Sequence, residues 1–250
     1  MNLAQLNRVA PLVDPDALER SHPHHILDWA ARAIDSLAIA TSFQSSGLVM
    51  LHMLQSIRTD LPVLFLDTGF HFDETIAFKN RIVEMWDLTI VNLRGKHGSV
   101  RNQNLAYGFE LYRRDPNECC FINKVEPLQR ALNEYDGWIS GLRRDQSEVR
   151  SRTPIVEDQE LISGREVIKI HPLANWTKSD VNRYLADHHI PTHPLLELGF
   201  TSIGCAPCTS ATGAGESDER AGRWQGFDKT ECGIHNIGTS ARSRQNEAEQ

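Results

Sequence analysis

Short apolar runs alternate with helical segments over the first 140 residues, and this alternation is the strongest constraint on the fold. It predicts βαβ units, and therefore an α/β fold built on a doubly wound, mostly parallel sheet of five strands flanked by helices. Residues 160–170 are expected to form a hairpin or the final strand. The predicted strands and intervening helices cover residues 37–40, 48–57, 61–66, 73–86, 89–93, 125–134 and 138–140.

The chain divides into three predicted parts. Residues 1–36 form an N-terminal helical segment, with a helix over 16–32, and residues 37–210 form the α/β domain. This domain includes a helix over 178–188 with Thr177 as its N-cap. Residues 211–250 form a C-terminal segment that we expect to be mobile, with a polar, disordered tail from residue 239.

Three polar loops follow predicted strands, at residues 42–47, 67–69 and 141–147. Ligands of such sheets bind beyond the carboxyl ends of the strands. The first loop offers hydroxyls and N–H groups at a helix N-terminus, and the third offers two neighbouring guanidiniums, which suit phosphate or sulfate. Each loop alone is compatible with an ordinary turn or a solvated face. Their convergence at one edge of the sheet predicts an anion-binding site.

The five cysteines form a second pattern. It consists of an adjacent pair, Cys119 and Cys120, a C-x-x-C formed by Cys205 and Cys208, and the single Cys232. Four clustered thiols and one spare suggest a metal centre and a separate nucleophile. The spacing alone favours zinc, with an iron–sulfur cluster and buried structural cysteines as the alternatives. An adjacent pair fits poorly on one tetrahedral zinc, whereas the irons of a cubane each take one thiolate.

Composition narrows the class of protein. The net charge of −7 argues against a general nucleic-acid binder, so any anionic ligand must be met by locally gathered arginines. No secretory signal and no membrane-spanning apolar run is visible, so we expect a cytoplasmic protein with no membrane partner. In a reducing compartment, an odd number of cysteines indicates metal binding or catalysis more than a disulfide framework.

Together these motifs resemble one family. The chain is similar to the assimilatory adenylyl-sulfate reductases, the iron–sulfur branch of the phosphosulfate reductases within the PP-loop superfamily, from about residue 37 to residue 235. The matching motifs, in order along the chain, are residues 42–47, 66–69, Cys119-Cys120 with Lys124, 141–147, 170–173, 204–209, 219–224 and 231–235.

The resemblance implies reduction of adenosine 5′-phosphosulfate to sulfite and AMP, in sulfate assimilation for cysteine biosynthesis. Cys232 would be the nucleophile and form a Cys-S-sulfonate that thioredoxin or glutaredoxin reduces, with His235 and nearby arginines favouring its thiolate. Cys119, Cys120, Cys205 and Cys208 would hold one [4Fe–4S] cluster per chain, which overturns the preference for zinc. The substrate-binding residues implied are Ser42, Phe43, Ser45, Ser46, Gly47, Asp67, Thr68, Lys124, Gly141, Arg143, Arg144, Arg220 and Arg223.

One departure from the family pattern bears on substrate choice. Relatives that take adenylyl sulfate commonly have a glycine and acidic residues in the first loop, where this chain has Gln44-Ser45-Ser46. The 3′-phosphorylated substrate is therefore the first alternative. A cluster-containing PP-loop enzyme that thiolates tRNA and a non-enzymatic nucleotide sensor are more remote, and assembly into a homo-oligomer is compatible with the sequence. Trp138, Trp176 and Trp224 are expected in the core.

Overall fold

A six-stranded sheet forms the centre of the protein, whose computed structural model describes residues 15–212 and 218–235. The strand order is β3-β2-β1-β4-β6-β5, and every neighbouring pair is parallel except β5 with β6. The strands are β1 (Leu37–Ala40), β2 (Val63–Leu66), β3 (Ile90–Leu93), β4 (Gly137–Ser140), β5 (Val156–Glu160) and β6 (Glu166–Ile170). In the described part of the chain, no helix is long and apolar enough to span a membrane.

Helices cover both faces of this sheet. They are α1 (Pro15–Glu19), α2 (Pro23–Ala33), α3 (Ser45–Leu54), α4 (Asp73–Trp86), α5 (Val100–Tyr107), α6 (Leu111–Arg114), α7 (Pro116–Cys120), α8 (Glu126–Leu132) and α9 (Lys178–Asp187). A π-helical turn, Phe121–Val125, joins α7 to α8. Four 3-10 turns lie at Arg144–Gln146, Glu148–Arg150, Pro194–Leu196 and Ala206–Cys208.

The predicted α/β fold with a mostly parallel sheet is confirmed, but the sheet has six strands instead of five. The extra strand is β5, which lies almost entirely before the predicted region 160–170 and forms an antiparallel hairpin with β6. The N-terminal helix is divided at Pro23, which begins α2. The predicted N-cap of α9 is confirmed, since Thr177 and Asp180 form a reciprocal capping box.

Two apolar clusters fill the space on the two faces of the sheet. The larger packs α2, α3 and α9 on one face, and six of the ten residues of α3 belong to it. The smaller packs α8 on the other face, where Leu128 and Leu132 contact Trp138. Full burial of one such side chain contributes about 1.5–3 kcal/mol, so these clusters hold the carboxyl ends of β1, β2 and β4 in fixed register.

A buried histidine joins the 3-10 turn after α9 to the start of α4. The imidazole of His193 is fully buried, its Nδ1 accepts from the N–H of Leu195 at 3.2 Å, and its Nε2 lies 3.0 Å from Thr75 Oγ1. The neutral tautomer with its proton on Nε2 satisfies both contacts. Burial lowers the pKa of His193 to about 4, although Glu74 acts in the opposite direction.

We predict that the free energy of unfolding falls as the pH drops from about 6.5 to 4. In this interval the unfolded chain binds a proton on His193 and the folded chain does not, so the slope approaches about 1.4 kcal/mol per pH unit for this group. Urea denaturation of wild type and His193→Gln between pH 4 and 7 checks this, and the variant should show a shallower dependence. His189→Gln, which removes an exposed imidazole, should keep the wild-type slope. Parallel curves for His193→Gln and wild type would contradict the assignment.

Candidate functional site

A cavity of about 240 Å³ lies at the carboxyl ends of β1, β2 and β4. The loops that follow these three strands line it, together with the π-helical turn and the segment formed by residues 218–235, which we call the tail segment. Parallel strands present the loops at their carboxyl ends along one edge of the sheet, which explains the convergence.

The first loop enters α3 with its backbone pressed against β1. A Cβ on Gly47 would overlap Thr41 Oγ1, so only glycine fits there. Because α3 begins at Ser45, three residues earlier than predicted, Ser45 and Ser46 lie in its first turn. The N–H groups of this turn lack partners within the helix, and the helix dipole favours an anion beside them.

Gln44 ties this loop to the chain leading into Cys205. Its amide donates to the carbonyl of Ile203 at 2.8 Å and accepts from the N–H of Ile203 at 2.8 Å. The same amide donates to Ser42 Oγ at 2.8 Å. This reciprocal pair was not predicted, and the only signal in the sequence was the departure of Gln44 from the family pattern.

Arg143 is the most deeply buried cation of the cavity, with 2 % of its side chain exposed. Its guanidinium donates to Ser46 Oγ at 2.7 Å, to Glu219 of the tail segment at 2.7 Å and to Asp145 at 2.9 Å. The carboxylates offset the cost of burying the charge. A single side chain thus joins the third loop, the first loop and the tail segment.

Arg150 is a cavity residue that the sequence prediction missed. It forms a bidentate ion pair with Glu231, at 2.8 and 2.7 Å, in which both side chains are 9 % exposed. Its third nitrogen donates to Gln146 Oε1 at 2.6 Å. Arg220 also reaches Glu231, at 3.3 Å. The arginine-rich run that begins at Arg143 was the available signal for Arg150.

Lys124 and Arg223 complete the cationic lining between the cavity and the thiols. Burial alone would lower the pKa of Lys124, but the neighbouring thiols of Cys205, Cys120 and Cys232 raise it above its usual value. The guanidinium of Arg223 occupies the space where a side chain on residue 204 would lie, so Gly204 lets Arg223 lie close to the chain beside Cys205. The same guanidinium lies 4.5 Å from the ring centroid of Trp224.

Four cysteines line a smaller pocket that adjoins the cavity. Cys119 and Cys120 end α7, Cys205 precedes a 3-10 turn that ends at Cys208, and Lys124 lines the same pocket. Burial and the neighbouring cysteines raise the pKa of the Cys119 thiol to about 12 and that of Cys208 to about 11. Burial would also raise the pKa of Cys205, but Lys124 lowers it overall.

Two polar groups face the sulfur atoms. Asn123 Nδ2 lies 3.6 Å from Cys119 Sγ, and Thr68 Oγ1 lies 3.4 Å from Cys205 Sγ. Four soft donors, two hydrogen-bonding groups and one ammonium are a chemically suitable lining for an anionic iron–sulfur cluster. Within residues 15–212 and 218–235, no three His, Cys, Asp or Glu side chains are arranged around a single ion.

The tail segment brings Cys232 into the wall of the cavity. The thiol of Cys232 is half-buried. Burial lowers the pKa of His235 well below its usual value, and Lys169 and Arg150 lower it further, so the imidazole is neutral at pH 7. Its ring lies parallel to the indole of Trp138. His235 is therefore not a cation that favours the thiolate of Cys232.

The structure does not bring three of the predicted substrate-binding residues to the cavity lining. Phe43 has a φ of 58° and a fully buried ring against Phe65, because an aromatic ring gains more in the core. Asp67 pairs with Arg94 at 2.7 Å.

Arg144 is the third of these residues. It donates to Glu19 at 2.9 Å and to the carbonyl of Thr153 at 2.7 Å, and it also bonds Asn175. The other predicted residues line the cavity: Ser42, Ser45, Ser46, Gly47, Thr68, Lys124, Gly141, Arg143, Arg220, Arg223 and Cys232. Trp138 and Trp224 also line it, although both are almost completely buried.

Proteins named as reductases of a phosphosulfate are similar in sequence to this chain. Residues 36–211 match the phosphoadenosine phosphosulfate reductase domain. The chain is 41 % identical over 225 residues to adenosine 5′-phosphosulfate reductase of Streptomyces coelicolor, covering 90 % of each chain. It is 42 % identical over 216 residues to phosphoadenosine 5′-phosphosulfate reductase of Gloeobacter violaceus, covering 85 % of this chain and 88 % of the relative.

A solved structure agrees with these sequence relatives. The phosphate complex of phosphoadenylyl-sulfate reductase from Candida auris superposes with a TM-score of 0.70 and 30 % identity, covering 78 % of this chain and 94 % of that one. Both the sequence match over most of the α/β domain and the superposition place the chain in one family. The protein belongs to the phosphoadenosine phosphosulfate reductase domain family.

Proposed function

We propose that the protein reduces adenosine 5′-phosphosulfate to sulfite and AMP, with Cys232 as the nucleophile and a thioredoxin-type dithiol as the reductant. The observation that carries this proposal is the position of Cys232 in a cavity lined by Lys124, Arg143, Arg220 and Arg223. The thiol lies beside a cluster of cations at the carboxyl ends of the strands, where α/β sheets bind nucleotides. This arrangement suits attack on an anionic sulfur electrophile. Relatives named for this reaction support the choice.

The first step follows from the charges. The first turn of α3 and the guanidinium of Arg143 hold the phosphosulfate, while Lys124 and the C-terminal arginines offset the charge on the sulfate oxygens. The thiolate of Cys232 attacks the sulfur, the bond from sulfur to the phosphate oxygen breaks, and AMP leaves with that electron pair. The sulfonate then remains bonded to Cys232 Sγ.

The second step is a thiol exchange that needs an external dithiol. One thiolate of the dithiol attacks Cys232 Sγ, the bond between the two sulfurs breaks, and sulfite leaves with the electron pair. The second thiol of the reductant resolves the mixed disulfide and regenerates the Cys232 thiol. The dithiol is oxidised to a disulfide and supplies both electrons.

Four thiols would hold a [4Fe–4S] cluster: Cys119, Cys120, Cys205 and Cys208. When bound, the cluster would supply a fixed anionic body beside the cavity, without donating an electron to the thiol exchange. Lys124 lies between the cysteine pairs and the cavity, so its ammonium faces both the sulfur donors and the substrate. In this role it orients the sulfate and offsets the negative charge on both sides.

The 3′-phosphorylated substrate is the second candidate. One relative named for that substrate is 42 % identical to this chain, compared with 41 % for a relative named for adenosine 5′-phosphosulfate. We favour the 5′-phosphosulfate, because the four-cysteine pattern is typical of the branch that uses it. The loop at Gln44 is the specific reason for carrying the alternative.

The proposed reaction predicts sulfite release from adenosine 5′-phosphosulfate in the presence of thioredoxin. Without thioredoxin, wild type should release one AMP per chain and retain a sulfonate-sized mass on the Cys232 peptide, removable by a dithiol. Cys232→Ser should bind added AMP normally, but it should release no AMP from the substrate and form no adduct, because a serine hydroxyl stays protonated near neutral pH.

Kinetics with both phosphosulfates measures the substrate preference as a ratio of kcat/KM values. A higher kcat/KM for the 3′-phosphorylated substrate would show that it is the preferred substrate, and the proposed reaction would still stand. Turnover by Cys232→Ser, or an adduct on another cysteine, would refute the nucleophile. Absence of sulfite from both substrates would refute the proposed function.

The metal proposal predicts brown protein after anaerobic purification, with about four irons and four sulfides per chain. Cys208→Ser should lose the colour and the iron, because one of the four thiolates is missing. Cys232→Ser is the matched control and should retain both. A colourless, active wild type that contains stoichiometric zinc would contradict the cluster.

Adjacent arginines provide a test of the binding geometry. We predict that Arg143→Ala weakens AMP binding at least about tenfold, because a charge-assisted hydrogen bond is lost from the cavity. Arg144→Ala should stay within about twofold of wild type, because its guanidinium bonds Glu19 and Thr153 outside the cavity. Calorimetric titration measures both affinities, and circular dichroism checks that each variant is folded. Equal losses in the two variants would show that the cavity is not the nucleotide site.

A further inference from the structure

Three side chains form a row across the sheet beneath the end of the tail segment. Trp138 on β4 is the register partner of Lys169 on β6, and Lys169 is the register partner of Glu157 on β5. They lie on the face of the sheet that carries the smaller apolar cluster, against which Ile234 packs. The row therefore forms the surface on which the last described residues of the chain rest.

Lys169 is unusual in this row, because it is a lysine with only 1 % of its surface exposed. Its Nζ donates to Glu157 Oε1 at 2.7 Å and lies 5.4 Å from the ring centroid of Trp138. His171 Nε2 lies 3.1 Å from the same oxygen of Glu157, within hydrogen-bond distance. Burying an ammonium is costly, and a well-packed apolar side chain would often serve the sheet as well.

Lys169 also contacts the tail segment. Its Nζ lies 3.5 Å from the carbonyl oxygen of His235, which accepts from it. The ring of His235 lies parallel to the indole of Trp138, with an interplanar angle of 7° and centroids 6.3 Å apart. Ile234 and His235, two and three residues beyond Cys232, are therefore both held by the sheet.

We propose that Lys169 is a positioning residue that docks the end of the tail segment and so holds Cys232 in the cavity. The proposal rests on the proposed function, in which Cys232 reacts there. Arg150 holds Glu231 on the other side of the thiol. These two anchors flank Cys232 and Gly233, which leaves the sulfur little freedom while both anchors are formed.

A purely structural role for Lys169 gives a different expectation. If the ammonium only joins β5 to β6 through Glu157, its removal lowers the stability of the sheet and leaves the folded tail segment in place. If it docks the tail segment, its removal exposes Cys232 in protein that is still folded. The reactivity of Cys232 in substrate-free protein separates the two roles.

The experiment compares rates of alkylation of Cys232 by iodoacetamide in anaerobically purified full-length protein, followed by mass analysis of the Cys232 peptide. Lys169→Met should raise the rate about tenfold, as expected when a hydrogen bond to a charged group is lost. Lys169→Arg should stay near wild type, because a guanidinium still donates to the carbonyl of His235. Lys178→Met removes the same charge from an exposed position and should not change the rate.

A second variant guards against a folding defect, since Lys169→Met leaves the carboxylate of Glu157 without its ammonium. In Glu157→Gln/Lys169→Met that carboxylate is removed too, and the alkylation rate should rise to the same extent. In both variants kcat should fall about tenfold, whereas the Kd for AMP stays within about twofold of wild type.

An alkylation rate equal to wild type in the folded double variant would overturn the proposal, whatever happens to activity. A loss of AMP affinity as large as the loss of kcat would also overturn it, since the effect would then lie in the cavity. If wild type makes no sulfite, the proposed reaction is wrong, but the alkylation comparison needs no substrate and still decides the role of Lys169.

Discussion

The buried guanidinium of Arg143 is the interaction on which the rest of the site depends. It lies at the carboxyl end of the central strand β4 and bonds the first turn of α3 through Ser46 and the tail segment through Glu219. Three parts of the chain that are far apart in sequence therefore share one cation. Because that cation is almost inaccessible to water, loss of any partner leaves a buried charge or hydroxyl unsatisfied, which costs several kcal/mol for a charge.

The charge of the cavity lining is opposite in sign to the net charge of the protein. The chain carries a net charge of −7, yet the cavity is lined by Lys124, Arg143, Arg150, Arg220 and Arg223. Their field acts over a short distance in a partly enclosed space, where screening by salt is weak. The acidic surface reduces non-specific attraction to polyanions, while the lining selects small anions that fit the cavity. The sequence analysis expected an anionic ligand to be met by locally gathered arginines, and the cavity lining has this arrangement.

The sequence predicted β1 to β4 to within about two residues, because buried parallel strands are continuous apolar runs. It placed no strand at β5, which is antiparallel and only partly buried. It missed α5, α6 and α7, whose polar sequences have no marked periodicity and are stabilised by their neighbours. It also could not separate Arg143 from Arg144. Arg143 is extended, whereas Arg144 begins a 3-10 turn. The carboxylate that Arg144 bonds outside the cavity, Glu19, lies 125 residues earlier. The pairing of Asp67 with Arg94 was hidden for the same reason.

The ion pair between Arg150 and Glu231 has a consequence for competition inside a cell. A carboxylate fixed beside a guanidinium by the chain acts at an effective concentration in the millimolar range or above. Free phosphate at lower concentrations therefore competes poorly for Arg150, because it must displace a tethered anion. The ion pair that fixes the residue before Cys232 therefore persists in a medium that contains free phosphate.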